Sequence, residues 1–453
     1  MTKSKILPLL LLFFLHTIAT AEPVDMAKRT RELQNLHWGM FVCWSFSTFS
    51  GNEWTPGVKD ISLFRATSVD TDQWARTAKE AGMGYILFLT KHHDGFCLWD
   101  TKTTDRKVTK ALLGRDVLAD LRKSCDKYGI KLALYVSEGE FKDNKEYHPG
   151  GFTPEMKKAQ LKELLTQYGP IEYIWFDHAQ GDGGLDHEQT TAFCKALQPG
   201  CFVGFNNGPP AGDIRLGEMG HPAPLKDVSG AGFASGDMKG YDAYHLAEFT
   251  YPIEPAHQGG AQWFYSLPQY DKLCLPAEKL YKDYLGAVKY GNIFSLDVSP
   301  DYTGRLREID VQTLSRVGEM IRNPPLDLTT IPAKASSTWG PGFEADKAVD
   351  LDAGTRWGAA SGTKSGWIEV DLGTPKAINH AVIEELQYPR TQKFAIEYKE
   401  GETWKPVATG SSIAGTKSID FPEITAQHVR LNILQASDVP TIEEFQLQDR
   451  KNP

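Results

Sequence analysis

Hydrophobic and polar positions follow two alternating periods along the first two-thirds of the chain. Thr71 to Glu80 reads as a helix, and the short apolar run Tyr85-Ile86-Leu87-Phe88-Leu89-Thr90 reads as a buried strand. Asp116 to Tyr128 is amphipathic, with Val117, Leu118, Leu121 and Cys125 at helical spacing. Gly129 ends it, and Lys131 to Val136 is the next strand. Pro154 to Tyr168 reads as a helix stopped by Gly169-Pro170, with a strand over Ile171 to Phe176. Such repeated strand–helix units, from about Met26 to Arg322, predict a parallel sheet. Over roughly 300 residues a (β/α)8 barrel is the first choice and an open doubly wound sheet the alternative. Beyond Arg322 the pattern changes. Asn323-Pro324-Pro325 breaks the chain and Thr329-Thr330-Ile331-Pro332 continues as a linker. Short alternating segments then follow at Trp367 to Leu372, Ala381 to Glu385, Lys393 to Tyr398, Ser418 to Phe421 and His428 to Leu434. They predict an antiparallel β-sandwich. The expected division is 1–21, 22–326 for the barrel and 327–453 for the sandwich.

Residues 1–21 read as a signal peptide. Lys3 and Lys5 precede the apolar run Ile6 to Leu15, and Ala19-Thr20-Ala21 offers a small-x-small cleavage site before Glu22. The mature chain is therefore expected outside the cytosol, periplasmic or secreted, and no later run is long and apolar enough to span a bilayer. A net charge of −9 makes nucleic acid an unfavourable partner. The six cysteines are scattered. Cys194 and Cys201 are close enough in sequence to pair, which an even count in an exported protein permits without fixing, and no spacing suits zinc.

The chemistry-bearing residues cluster just after the strands. Lys91-His92-His93-Asp94-Gly95 follows one, Glu138 and Glu140 the next, and Asp177-His178 the third. In a parallel barrel the C-terminal strand ends carry the active site. Asp177 ends the buried strand Tyr173-Ile174-Trp175-Phe176. Its carboxylate is either one of a catalytic pair or the cap of the next helix. His92 and His93 suit hydrogen bonds to sugar hydroxyls, or ordinary packing, and lack a third ligand spaced for a metal.

The run Thr90-Lys91-His92-His93-Asp94-Gly95-Phe96-Cys97-Leu98-Trp99-Asp100 resembles a strand-end signature of the α-L-fucosidases of glycoside hydrolase family 29. Trp175-Phe176-Asp177, Gly51-Asn52-Glu53-Trp54, Leu134-Tyr135-Val136-Ser137 and Gly291 to Asp301 resemble that family in the same order, over about 300 residues. The resemblance implies a retaining exo-α-L-fucosidase with Asp177 as nucleophile, acting on a fucosylated oligosaccharide or glycan without a catalytic cofactor. It implies substrate-binding roles for Glu53, Trp54, His92, His93, Tyr135 and Trp263, with Tyr265 among the aromatics near the sugar. Asp213-Ile214-Arg215-Leu216-Gly217-Glu218 resembles the acid/base segment of one branch and makes Glu218 the acid/base, with Glu248 its rival. Two departures concern the sugar. Cys43 stands where the family has a fucose-binding His, and His178 replaces a common Gly; His37 is a candidate to compensate. A related sugar such as L-galactose therefore stays open as substrate, as does a catalytically inactive carbohydrate-binding protein.

The tail resembles a discoidin, or coagulation-factor type C, module, also known as a family 32 carbohydrate-binding module. The resemblance rests on Ala348 to Trp357, Trp367 to Gly373 and Glu444 to Leu447. It implies a structural calcium at Asp350, Thr355 and Glu444, for which oxygen ligands are suited. The alternative is a loop held by its own Asx-turn hydrogen bonds.

Overall fold

In the computed structural model, which describes residues 24–141, 151–177, 181–206, 212–228, 244–265, 267–352, 354–386 and 388–450, the strand–helix units close on themselves. The described residues form eight parallel strands: β1 Trp38–Val42, β2 Tyr85–Lys91, β3 Lys131–Ser137, β4 Tyr173–Asp177, β5 Phe202–Phe205, β6 Ile214–Glu218, β7 Leu246–Pro252 and β8 Ile293–Asp297. Their order, β5-β4-β3-β2-β1-β8-β7-β6, keeps sequential strands adjacent and brings β8 back onto β1, with Phe41 opposite Asp297. The seam between β5 and β6 has no ladder and is stitched by Asp213. Its N–H donates to the Val203 carbonyl at 2.7 Å, and its carboxylate accepts from the Val203 N–H at 3.0 Å. The architecture is the barrel, not the open sheet.

The helices start where short polar side chains can satisfy their free N–H groups. Around the barrel run α1 Met26–Gln34, α2 Phe46–Ser50, α3 Thr71–Glu80, α4 Val117–Tyr128, α5 Pro154–Gln167, α6 His187–Leu197, α7 Ala277–Tyr290 and α8 Glu308–Arg322. Asp70, Asp116, Thr153 and Asp186 each accept a backbone hydrogen bond at the start of α3, α4, α5 and α6. Gly129 closes α4 at φ 69°, a left-handed position that suits glycine. Inside the barrel the Tyr85 and Tyr173 hydroxyls meet Ser295 Oγ at 2.7 and 2.9 Å.

The chain enters a second core at once after α8, with Leu328 already buried in it. The strands there are β9 Ala333–Ala335, β10 Trp357–Gly358, β11 Gly366–Glu384, β12 Thr391–Glu400, β13 Thr403–Gly410, β14 Thr416–Ala436, β15 Thr441–Ile442 and β16 Glu444–Gln448. All their pairings are antiparallel, in a sheet ordered β13-β12-β14-β11-β16 plus the pair β10-β15. Segments that read as separate short strands are continuous here. Bulges between Asp371 and Lys376, and between Ile378 and His380, bend β11 without ending it.

The two cores meet across a cluster of acids with one arginine at its centre. Arg316 of α8 contacts Glu278 of α7 at 2.9 Å and Glu384 of β11 at 3.2 Å. Burial and the nearby Glu278 push Glu384 up to about 8. Burial, Glu278, Asp350 and Glu384 push Glu444 up to about 9. The folded chain thus holds protons that an unfolded chain releases at about pH 4.3. The stability from these protons is full below that pH and is lost as pH rises through the folded values. With calcium chelated, melting temperature should therefore fall between about pH 6 and about pH 9, and Glu384→Gln should flatten the fall. A melting temperature that rises across that window would exclude this coupling.

Candidate active site

Six of the eight strands end in side chains or loops that converge on one cavity of about 420 Å³ at the C-terminal mouth of the barrel, within the size range of small-molecule sites. Asp177 closes β4 inside this mouth. Tyr135 of β3 donates its hydroxyl to Asp177 Oδ2 at 2.6 Å, Asn206 after β5 donates to Oδ1 at 3.1 Å, and His93 Nε2 lies 3.3 Å from Oδ2. The other nitrogen of His93 meets Ser137 Oγ at 2.9 Å, which fixes the ring. Burial works to raise the Asp177 pKa, but His93, Tyr135 and Asn206 outweigh it and hold the carboxyl well below the usual range. Asp177 is thus an ionised, oriented carboxylate. It caps no helix among the described residues, since α6 is capped by Asp186.

Glu218 closes β6 on the other side of the same cavity. The Asn206 amide that donates to Asp177 also donates to Glu218 Oε2, at 2.7 Å. The two contacts, 3.1 and 2.7 Å, cap the Oδ1–Oε2 separation at 5.8 Å, their sum. Burial and the Asp177 charge push the Glu218 pKa up, against the Asn206 hydrogen bond. One amide therefore bridges a carboxylate kept ionised and a carboxyl shifted toward its protonated form. Glu248 lies elsewhere. It is fully buried in β7, accepts from Trp175 Nε1 at 3.2 Å and is pushed up to about 7 by burial, as part of the polar layer with Ser295 beneath the site.

The remaining predicted residues line the walls. His92 packs 4.3 Å from the His93 ring, and burial together with His93 keeps it well below its ordinary pKa and so neutral. Its Nδ1 is buried and has no hydrogen-bond partner within the protein. Tyr135 stacks on Trp175 at 5.3 Å. Glu53 Oε2 accepts the backbone N–H groups of Gln262 and Trp263 at 2.6 and 3.1 Å, which anchors the loop carrying Trp263 into the cavity. Trp54 stands at the rim. Tyr265 packs edge-on against Tyr302 at 4.9 Å and does not reach the cavity.

Two sequence readings need correction. His37 immediately precedes β1, at the opposite end of the barrel from the cavity, and packs on Tyr284, so it cannot compensate for Cys43. Cys194 and Cys201 are both free thiols, as are the other four cysteines, so no bridge joins them. Glu138 and Glu140 sit behind the site in buried ion pairs with Lys157 at 2.7 Å and Lys91 at 3.1 Å. The signal-peptide segment and His178 lie outside the described residues. Asn206 and Met219 are site residues that the sequence reading missed. Asn206 follows a strand, the one signal that could have found it.

Cys43 lines the cavity and hydrogen-bonds to Asp297 at the end of β8. Burial pushes both groups well above their ordinary pKa values, so a neutral thiol at the cavity wall meets a carboxylic acid that lies behind it and does not line the cavity. In the second domain Thr355 Oγ1 lies 3.0 Å from both Asp350 oxygens, and Glu444 Oε1 accepts from the Asp352 N–H at 3.0 Å. Glu444 Oε2 is buried without a hydrogen-bond partner. Among the described residues no three acidic, His or Cys side chains are grouped as a metal cluster.

The family model described as alpha-L-fucosidase matches residues 25–323, and that of the F5/8 type C domain matches residues 332–445. Alpha-L-fucosidase 1 of Arabidopsis thaliana is 27% identical, with 90% of this chain and 85% of that protein aligned. Human plasma alpha-L-fucosidase is 22% identical over 63% of this chain and 65% of its own. Among solved structures, a putative alpha-L-fucosidase from Bacteroides thetaiotaomicron superposes with a TM-score of 0.56 at 24% identity, covering 93% of this chain and 97% of that one. A Ruminococcus gnavus GH29 fucosidase in complex with fucose gives 0.53 at 21% identity, covering 94% of each. At these identities the structural likeness carries the fold.

Proposed function

Because this chain belongs to the alpha-L-fucosidase family, a family of glycoside hydrolases, we propose that it is exported and removes terminal α-L-fucose from glycans with retention of configuration. Asp177 attacks the anomeric carbon while Glu218 protonates the departing oxygen. A glycosyl ester on Asp177 forms, and Glu218, now a base, takes a proton from the water that hydrolyses it. The observation that carries this reading is the Asn206 bridge. A cap of 5.8 Å on two facing oxygens suits a retaining pair at about 5–5.5 Å better than an inverting pair at about 6.5–9.5 Å. The low Asp177 and raised Glu218 pKa values match the nucleophile and acid roles. The same pair argues against an inactive carbohydrate-binding protein. Following the anomer of the first-formed sugar by NMR tests the reading: α-fucose supports retention and β-fucose overturns it.

One observation favours a variation in the sugar. The cavity wall carries the small Cys43 thiol where the resemblance implies a larger fucose-binding His, a change that suits a sugar with one more hydroxyl than fucose carries. A panel of aryl α-L-fucosides and α-L-galactosides decides between them through the ratio of their kcat/KM values.

For the second domain, a structural calcium fits the oxygen ligands of Asp350, Thr355 and Glu444, where it would displace the proton that Glu444 holds in the calcium-free chain and satisfy the orphaned Glu444 Oε2. Added calcium should then raise the melting temperature of the wild type and not of Glu444→Gln. An unchanged wild-type value would leave the loop to its own hydrogen bonds.

A further inference from the structure

The cavity has two chemically different ends. Its deep walls, among them Cys43, Tyr135 and Trp175, are almost wholly buried, which suits the single terminal sugar of the proposed reaction. At the mouth two large apolar side chains stand in solvent, Trp54 at 60% and Met219 at 57% exposure. Met219 directly follows Glu218, the group that faces the leaving oxygen in the proposed mechanism.

The backbone of Met219 is unusual. Gly220 N–H bonds to the Gly217 carbonyl at 3.0 Å, so residues 217–220 form a tight turn. Met219 is its third residue, at φ 53°, in the left-handed region that a side chain with a Cβ disfavours. The turn already has glycine on both sides, and glycine would relax the third position. Instead it holds a long apolar side chain that gains little burial in return. Strain kept at a site mouth points to function. Trp54 is held at the same rim because its neighbour Glu53 is tied to the Gln262 and Trp263 N–H groups.

We propose that Met219 is a specificity-determining contact for the leaving group, closing with Trp54 on the apolar face of the pyranose or aryl ring to which the terminal sugar is attached. The strained turn couples two tasks: it aims the Glu218 carboxyl inward to Asn206 and the Met219 side chain outward over the exit. This rests on the reading of Glu218 as the acid.

The test compares a fucosyl disaccharide with methyl α-L-fucoside, whose leaving oxygen needs the same proton but carries no ring. In Met219→Gly, which also relieves the turn, the ratio of kcat/KM for disaccharide over methyl fucoside should fall roughly tenfold, the scale of one lost apolar contact. Met219→Leu should restore most of that ratio. A ratio unchanged in Met219→Gly overturns the proposal, and so does an equal fall on both substrates, which would mean that the residue acts only through the turn. Failure of the underlying reading looks different: wild-type protein would hydrolyse neither substrate.

Discussion

Asp177→Ala should cut kcat on fucosides by at least about a thousandfold, on the order of 4 kcal/mol of transition-state stabilisation, while the protein stays folded. The reason is local. Three donors, from Tyr135, His93 and Asn206, converge on a carboxylate that faces a cavity. Removing it leaves polar groups that entering water can satisfy, and no hole in the apolar core. Azide should restore part of the rate, since a small anion fits the vacated space and meets the anomeric carbon from the same side. That single displacement yields β-fucosyl azide from an α-fucoside. Near-normal activity in Asp177→Ala, or an α-azide product, would remove Asp177 from the nucleophile role. A collapse of the circular dichroism melt would make its role structural.

Asp177 was legible because a buried apolar strand can end in an acid only where something outside the core uses it. The same logic finds Asn206, which closes Gly204-Phe205-Asn206. A neutral amide after a four-residue strand gives a weaker signal than a carboxylate after Tyr-Ile-Trp-Phe. Its partner Glu218 lies on the next strand, a closeness that depends on barrel curvature and not on spacing. His37 misled for a related reason: it is near Cys43 in sequence, yet a strand of five residues carries Cys43 to the opposite end of the barrel. In the second domain, Trp367 to Leu372 and Ala381 to Glu385 read as separate strands, with Gly373 and Pro375 between them. The bulges of β11 absorb them, which period-two patterning does not reveal. The strand Thr403–Gly410 escaped because it is a largely exposed edge interrupted by Pro406.

The choice between Glu218 and Glu248 is the sharpest remaining test of the site, and the two carboxyls differ in reach. Glu248 is sealed beneath Trp175 in the barrel, so a proton held there has no open path to a glycosidic oxygen. Glu218→Ala should therefore lose roughly 10²–10⁴ in kcat/KM on substrates whose leaving oxygen needs a proton, and far less on α-L-fucosyl fluoride. The pH profile should agree. Glu218 is raised by burial and by the Asp177 charge, so it delivers a proton at low and neutral pH, and activity falls as pH rises through its pKa. That alkaline limb should appear with the disaccharide and be absent with the fluoride, whose departure needs no proton. Asp177, held well below the usual carboxylate range, leaves the acidic limb far from neutrality. The coupling works in both directions. In Asp177→Asn the negative charge beside Glu218 is gone, and its carboxyl should titrate lower, observable as a shift of the Glu218 carboxyl ¹³C resonance. A Glu218 that titrates unchanged in that variant would break the pairing, and a Glu218→Ala enzyme slowed equally on both substrates would transfer the acid role to Glu248.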